Sequence, residues 1–209
     1  MRKISIILFL AFAFLPMPAL CASEPVRVLF LGDSLTAGYG LAEEEAFPAL
    51  IEKLASNTNT PIEARNAGVS GDTSAGALRR LNWLLKEKYD VVFIAIGAND
   101  GLRGLSLEEL EKNLKQIAQQ VRAALPKAKI MLAGIKLPLN FGPQYSSDFE
   151  ELFSRVARAE KLAFLPFLLE GVAGDATLNL PDRLHPNAAG QKKMATHIWA
   201  AMINLLQEQ

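Results

Sequence analysis

The chain has 209 residues, half of them hydrophobic, and its 22 Lys and Arg balance its 22 Asp and Glu to a formal net charge of zero. That length and apolar share suit one domain with a sizeable core, and balanced charge without a long basic run excludes nucleic acid as a partner. Cys21 is the only cysteine, so the chain beyond it forms no internal disulfide.

Residues 1–22 read as an export signal. Arg2 and Lys3 precede an apolar stretch from Ile4 to Leu15, interrupted only by Ser5, which Pro16 and Pro18 then break. A membrane-spanning helix needs about 20 apolar residues, so this stretch is too short. Small Ala19, Cys21 and Ala22 offer cleavage after Cys21 or Ala22. The expected product is a periplasmic or secreted single domain, residues 23–209, a monomer without stable membrane insertion. Anchoring as a lipoprotein through Cys21 is the alternative, with bulky Leu20 standing against it.

Val26 to Leu31 has the continuous apolar character of a strand buried on both faces of a parallel sheet, and it stops at Gly32-Asp33-Ser34. Ser34 therefore stands just past a strand's carboxyl end, the edge at which open α/β sheets bind ligands. Taken alone, Gly-Asp-Ser is an ordinary turn in which Asp33 or Ser34 caps a helix. A phosphate loop is ruled out, because Gly38 is followed by Tyr39 rather than by Lys and Ser or Thr.

From Glu43 to Ser56, Phe47, Leu50, Ile51 and Leu54 recur at helical spacing behind three glutamates. A brief strand from Pro61 to Arg65 runs into Asn66-Ala67-Gly68-Val69-Ser70-Gly71-Asp72. Asp72 or Thr73 can cap a helix carrying Leu78, Leu81, Leu84 and Leu85 to about Lys88. Val91 to Ile96 is apolar throughout and should be the central strand; it ends in Gly97-Ala98-Asn99-Asp100-Gly101.

Ser106 and Glu109 form a capping box for a helix that Pro126 stops. Ile130 to Ile135 is the fourth strand, followed by the irregular segment Lys136 to Pro143. A helix over 147–161, a short strand near Ala163 to Leu165 and a helix from about Asn187 to the end complete the chain. This alternation implies one three-layer α/β/α domain around a mostly parallel sheet of about five strands. Ser34, Gly68 and Asn99 then meet on one rim.

Acyl transfer by a serine needs a base, a group that orients the base, and donors for the oxyanion. Of the two histidines, His197 sits beside the apolar stripe of the last helix and reads as structural. His185 precedes Pro186 and follows Asp182 by three residues. Pro186 disfavours helix at His185, so a tight turn can bring the Asp182 carboxylate to Nδ1 and leave Nε2 for Ser34. The competing reading has Asp182 and Asn187 merely capping the turn and the last helix. Backbone N–H groups of Ser34 and Gly68 and the side-chain amide of Asn99 are candidates for the oxyanion hole.

Gly32-Asp33-Ser34-Leu35, Gly68 in its Asn-Ala-Gly context, Gly97-Ala98-Asn99-Asp100 and Asp182-Arg183-Leu184-His185-Pro186 resemble, in order, the four blocks of the SGNH, or GDSL, hydrolases. Gly97 to Gly104, Leu137 to Gly142 and Leu165-Pro166-Phe167 resemble its secreted acyl-CoA thioesterase, lysophospholipase and arylesterase branch. The resemblance implies a flavodoxin-like fold, a Ser34–His185–Asp182 triad, an oxyanion hole of Ser34, Gly68 and Asn99, and no metal or cofactor. The substrate it implies is a small acyl ester or thioester. Apolar Leu137, Leu139 and Phe141, just past the fourth strand, are the expected acyl-binding wall. A carbohydrate O-acetylesterase is the nearest alternative; a non-catalytic lipid- or nucleotide-binding domain is the alternative outside catalysis.

Overall fold

The structure is a computed structural model that describes residues 24–207. The export signal expected over 1–22, with Cys21, lies outside the described residues. Five strands, β1 (Val26–Gly32), β2 (Ile62–Gly68), β3 (Val91–Ala95), β4 (Lys129–Ala133) and β5 (Ala163–Leu165), form one sheet in the order β2-β1-β3-β4-β5. Every pairing is parallel, and β3 is central and buried throughout.

Alternation along the strands divides the core into two. Leu29, Leu31, Val92, Ile94, Ile130 and Leu132 pack towards α3 (Ser74–Leu84), α5 (Leu107–Ala124) and α6 (Pro143–Ala159). Val28, Phe30, Val91, Phe93, Met131 and Ala133 pack on the other face, towards α2 (Phe47–Ala55) and α7 (Ala188–Gln207). There Phe30, Phe47 and Phe93 pack as a triangle, with ring centroids 5.6, 5.7 and 6.1 Å apart. The result is the three-layer α/β/α architecture.

Several boundaries differ from expectation for local reasons. The three glutamates form their own 3-10 turn, Glu43–Glu45, because Ala46 is extended; α2 starts afresh at Phe47 with Pro48 in its first turn. Leu54 is exposed, and Ala55 takes the buried position beside Ile51. Thr73, not Asp72, caps α3, its hydroxyl accepting the Gly76 N–H at 3.3 Å. The segment after β4 contains a 3-10 turn, Leu139–Phe141, and α6 begins at Pro143 directly behind Gly142, whose φ of 83° suits glycine.

The register aligns Gly32 with Gly68 and with Ala95, so the carboxyl ends of β1, β2 and β3 lie side by side. Two short helices start on this rim, α1 (Ser34–Ala37) and α4 (Ala98–Leu102).

Candidate active site

Ser34 is set by the turn from β1 into α1. A Cβ at Gly32 would collide with the Thr36 hydroxyl, so only glycine lets α1 fold back so closely onto the strand. Asp33, fully buried, caps α1 by accepting the Leu35 N–H at 3.0 Å. Its other carboxylate oxygen has no hydrogen-bond partner among the described residues. Burial therefore pushes the Asp33 carboxyl up to about 7; the Leu35 N–H and His185 oppose this, while Asp72 and Asp100 add to it.

Across the rim, the turn 180–185 is closed by Leu180 N–H donating to His185 O at 2.7 Å and Arg183 N–H to Leu180 O at 2.9 Å. Asp182 Oδ1 accepts the N–H groups of Leu184 (2.9 Å) and His185 (3.0 Å). That leaves Oδ2 facing His185 Nδ1 at 2.7 Å, and His185 Nε2 stands 2.9 Å from Ser34 Oγ. Partial desolvation raises the Asp182 carboxyl, but the His185 N–H, the imidazole and the Leu184 N–H outweigh it and hold it at about 2. An ionised Asp182 fixes the tautomer with hydrogen on Nδ1, so Nε2 can accept the Ser34 proton. Tyr39 lies over the imidazole, ring centroids 4.5 Å apart.

The competing reading of the turn is also partly realised, because Asn187 Oδ1 caps α7 by accepting the N–H groups of Ala189 and Gly190. Gln191 then joins the two halves of the site. Its side chain accepts the Phe47 N–H at 2.9 Å and donates to Leu35 O at 3.1 Å, tying α7 to α1 and α2.

Of the expected oxyanion donors, the Ser34 N–H makes no hydrogen bond among the described residues. Asn99 Nδ2 donates to Asp72 O at 2.9 Å, which occupies one of the two hydrogens on that nitrogen. Gly68 does not fit the role expected of it. It is the last residue of edge strand β2, and its N–H already donates to Asn66 Oδ1 at 3.0 Å. A Cβ there would collide with the Ala37 backbone, so glycine serves packing against α1. Gly71, exposed and with φ 79°, has an N–H without a partner among the described residues. Arg103 holds its carbonyl at 2.8 Å.

Two groups of residues that frame the rim carry no distinctive mark in the sequence. Arg80 donates to Gly32 O (2.9 Å), Ala67 O (2.8 Å) and Asp72 Oδ2 (2.8 Å), clamping the ends of β1 and β2 together. Buried Asp100 accepts the Ser74 N–H (2.8 Å) and hydroxyl (2.6 Å), and Asn113 donates to the same hydroxyl at 2.9 Å, which anchors α4 to α3 and α5. Their signal was a capping or solvated charge, and only the fold reveals which carbonyls they meet.

Ser34, Asn99 and His185 open on a cleft of ≈ 420 Å³ whose wall includes Leu102, Ile135, Leu137, Phe167, Leu169 and Leu184. Leu137 and Pro138 thus line it, as expected for the segment after β4. The side chain of Leu139 lies outside the described residues, and Phe141 is not on the wall, because the 3-10 turn carries it past the cleft. Lys136, also on the lining, pairs with Glu150 at 2.7 Å and lies over the Phe167 ring. His197 is half-buried away from Ser34, its Nε2 3.0 Å from Phe167 O.

A family model for the GDSL-like Lipase/Acylhydrolase family matches residues 30–193. The chain is 41% identical to Esterase TesA of Pseudomonas aeruginosa over 180 residues, 86% of this chain and 89% of that protein. It is 38% identical to Thioesterase 1/protease 1/lysophospholipase L1 of Escherichia coli over 188 residues, 89% of this chain and 88% of that protein. Among solved structures, the psychrotrophic esterase EstA from Pseudoalteromonas sp., inhibited by monoethylphosphonate, superposes with a TM-score of 0.82 at 34% identity, covering 87% of this chain and 99% of that one. With the sheet order, the rim geometry and these matches in agreement, the chain belongs to the GDSL-like lipase/acylhydrolase family.

Proposed function

We propose that this protein is a serine esterase and thioesterase in which Ser34 is the nucleophile, His185 the general base and Asp182 the residue that orients and supports the imidazole. Ser34 Oγ attacks the acyl carbonyl as its proton passes to His185 Nε2, and the imidazolium returns that proton to the departing alkoxide or thiolate. Water, deprotonated by the same nitrogen, then cleaves the acyl-enzyme and restores Ser34. The N–H groups of Ser34 and Gly71 and the second Asn99 amide hydrogen receive the developing oxyanion.

The observation that carries this reading is the unbroken chain from Asp182 Oδ2 through His185 to Ser34 Oγ, at 2.7 and 2.9 Å, standing at the mouth of an apolar cleft. That apolar wall favours acyl chains over acetylated sugars, and the names of the relatives, esterase and thioesterase/lysophospholipase, agree with it. The test is labelling by a fluorophosphonate, followed by peptide mass mapping. The label should sit on Ser34, and Ser34→Ala should lose both label and hydrolysis while melting like the wild type. Hydrolysis retained by Ser34→Ala overturns the assignment.

The location proposed for the enzyme is outside the cytoplasm, with residues 1–22 removed from a single mature domain. Among the described residues no helix is long and apolar enough to cross a membrane. Mass analysis of the N-terminus of the exported protein tests the cleavage after Cys21 or Ala22.

A further inference from the structure

Arg183 is one of two described residues other than glycine with a left-handed backbone, at φ 59°. That conformation is disfavoured for any residue with a Cβ and relaxed for glycine. The turn that presents the base imposes it, through the Arg183 N–H on Leu180 O and the Asp182 carboxylate on the N–H groups of Leu184 and His185. Arginine thus stands where the backbone asks for glycine, and strain retained beside a reacting centre points to a use for the side chain.

Its surroundings say which use. Arg183 lines the cleft and is exposed, and its guanidinium makes no hydrogen bond or ion pair among the described residues. The other long cationic side chain on the lining, Lys136, is already engaged by Glu150. No carboxylate lines the cleft among the described residues. An uncommitted cationic residue lines an otherwise largely apolar channel, and its Cα lies within ~7 Å of that of His185, the most that two residues can span.

Building on the esterase reading, we propose that Arg183 forms an anion subsite for the substrate, binding a phosphate or carboxylate carried only a few bonds from the scissile carbonyl. A guanidinium fork suits such an oxyanion bidentately. The short separation matches a glycerol phosphate headgroup or a short dicarboxylic acyl chain. It does not match the phosphates of a coenzyme A ester, which lie many bonds farther from the thioester.

The test compares kcat/KM for pairs that differ by one anionic group. The first arm sets 1-octanoylglycerol 3-phosphate against 1-octanoylglycerol. The second sets the monoethyl ester of glutaric acid against ethyl pentanoate. The wild type should favour the anionic member of one pair by about fivefold to tenfold, a modest factor because the guanidinium is exposed. Arg183→Gly, which the left-handed backbone accepts, should abolish that ratio, Arg183→Lys should keep part of it, and added salt should weaken it in the wild type. A preference in the first arm puts the subsite on the leaving-group side, and one in the second arm puts it on the acyl side. A ratio unchanged in Arg183→Gly, or no preference in either arm of the wild type, overturns the subsite. Failure of the wild type to hydrolyse either neutral ester would instead overturn the esterase reading.

Discussion

Asp33→Asn isolates the buried carboxyl that precedes the nucleophile. Asp33 is fully buried and its Oδ2 lacks a partner among the described residues, so burial lifts its titration from 3.8 to about 7. Between those two values the folded protein keeps a proton that the unfolded chain has released, and raising the pH therefore favours unfolding. The stability at stake is fully present below about pH 4, is lost as the pH rises to about 7, and changes no further above that. The full interval corresponds to roughly 4 kcal/mol. Asparagine keeps the acceptor for the Leu35 N–H and cannot ionise, but it buries an amide hydrogen pair without an acceptor at about 1–3 kcal/mol. The variant should thus be more stable than the wild type at pH 8 by about 1–3 kcal/mol, with the advantage vanishing or reversing near pH 4. Urea unfolding midpoints between pH 4.5 and 8.5 measure both slopes. Asp182, held at about 2, loses stabilisation only as the pH falls towards that value, well below the window. Parallel slopes for the two proteins would show that Asp33 is ionised in the fold and refute the reasoning.

Three further outcomes follow from the site. His185→Ala should remove nearly all turnover, whereas His197→Ala, which loses only its contact with Phe167 O, should lower stability and leave hydrolysis largely in place; equal losses in an ester assay would show the base misassigned. Asn99→Ala should reduce kcat by about a hundred- to a thousandfold with a much smaller change in KM, and a pure KM effect would make Asn99 a substrate-binding residue instead. Each methylene against the apolar wall is worth about 0.8 kcal/mol, or about fourfold. Leu137→Ser should therefore flatten the rise of kcat/KM with chain length while sparing acetyl esters, and equal loss on both would mean that Leu137 supports the rim rather than the groove.

The strands were legible because parallel, doubly buried strands have a composition that nothing else beyond residue 22 shares. Val91 to Ala95 carries five buried apolar residues in succession, and its central place follows from that alone. Edge strand β2 extends beyond its apolar start because it alternates: Glu63 and Arg65 are exposed and Asn66 half-buried, so its polar second half has the composition of a loop. The start of α2 is hidden in the sequence because three glutamates suit any helix start, whereas the extended Ala46 that separates them from Phe47 has no composition to announce it.

At the site, residues whose role depends on side-chain type and local spacing were legible, and those whose role depends on backbone direction were not. Asp182 and His185 sit three apart before a proline, and that spacing already permits the 2.7 Å contact seen between them. Ser34 could be paired with His185 because only one of the two histidines stood in a loop. A backbone N–H carries no such mark. Gly68 ends β2 and Gly71 follows it, and the choice between them rests on which amide is already spent. The acceptor is the Asn66 amide oxygen two residues back, a local bond that any Asn-x-Gly can make, and it removes Gly68 from the pool of donors. Gly71 owes its proposed place to distant partners, since Arg103 holds its carbonyl and Asn99 holds the next one, both reaching over from α4 and its C-terminal end. The same asymmetry separates Leu137 from Phe141. Both are apolar and lie in one short segment, but Phe141 closes the 3-10 turn ahead of Gly142, and only Leu137, before the turn, stays on the cleft wall.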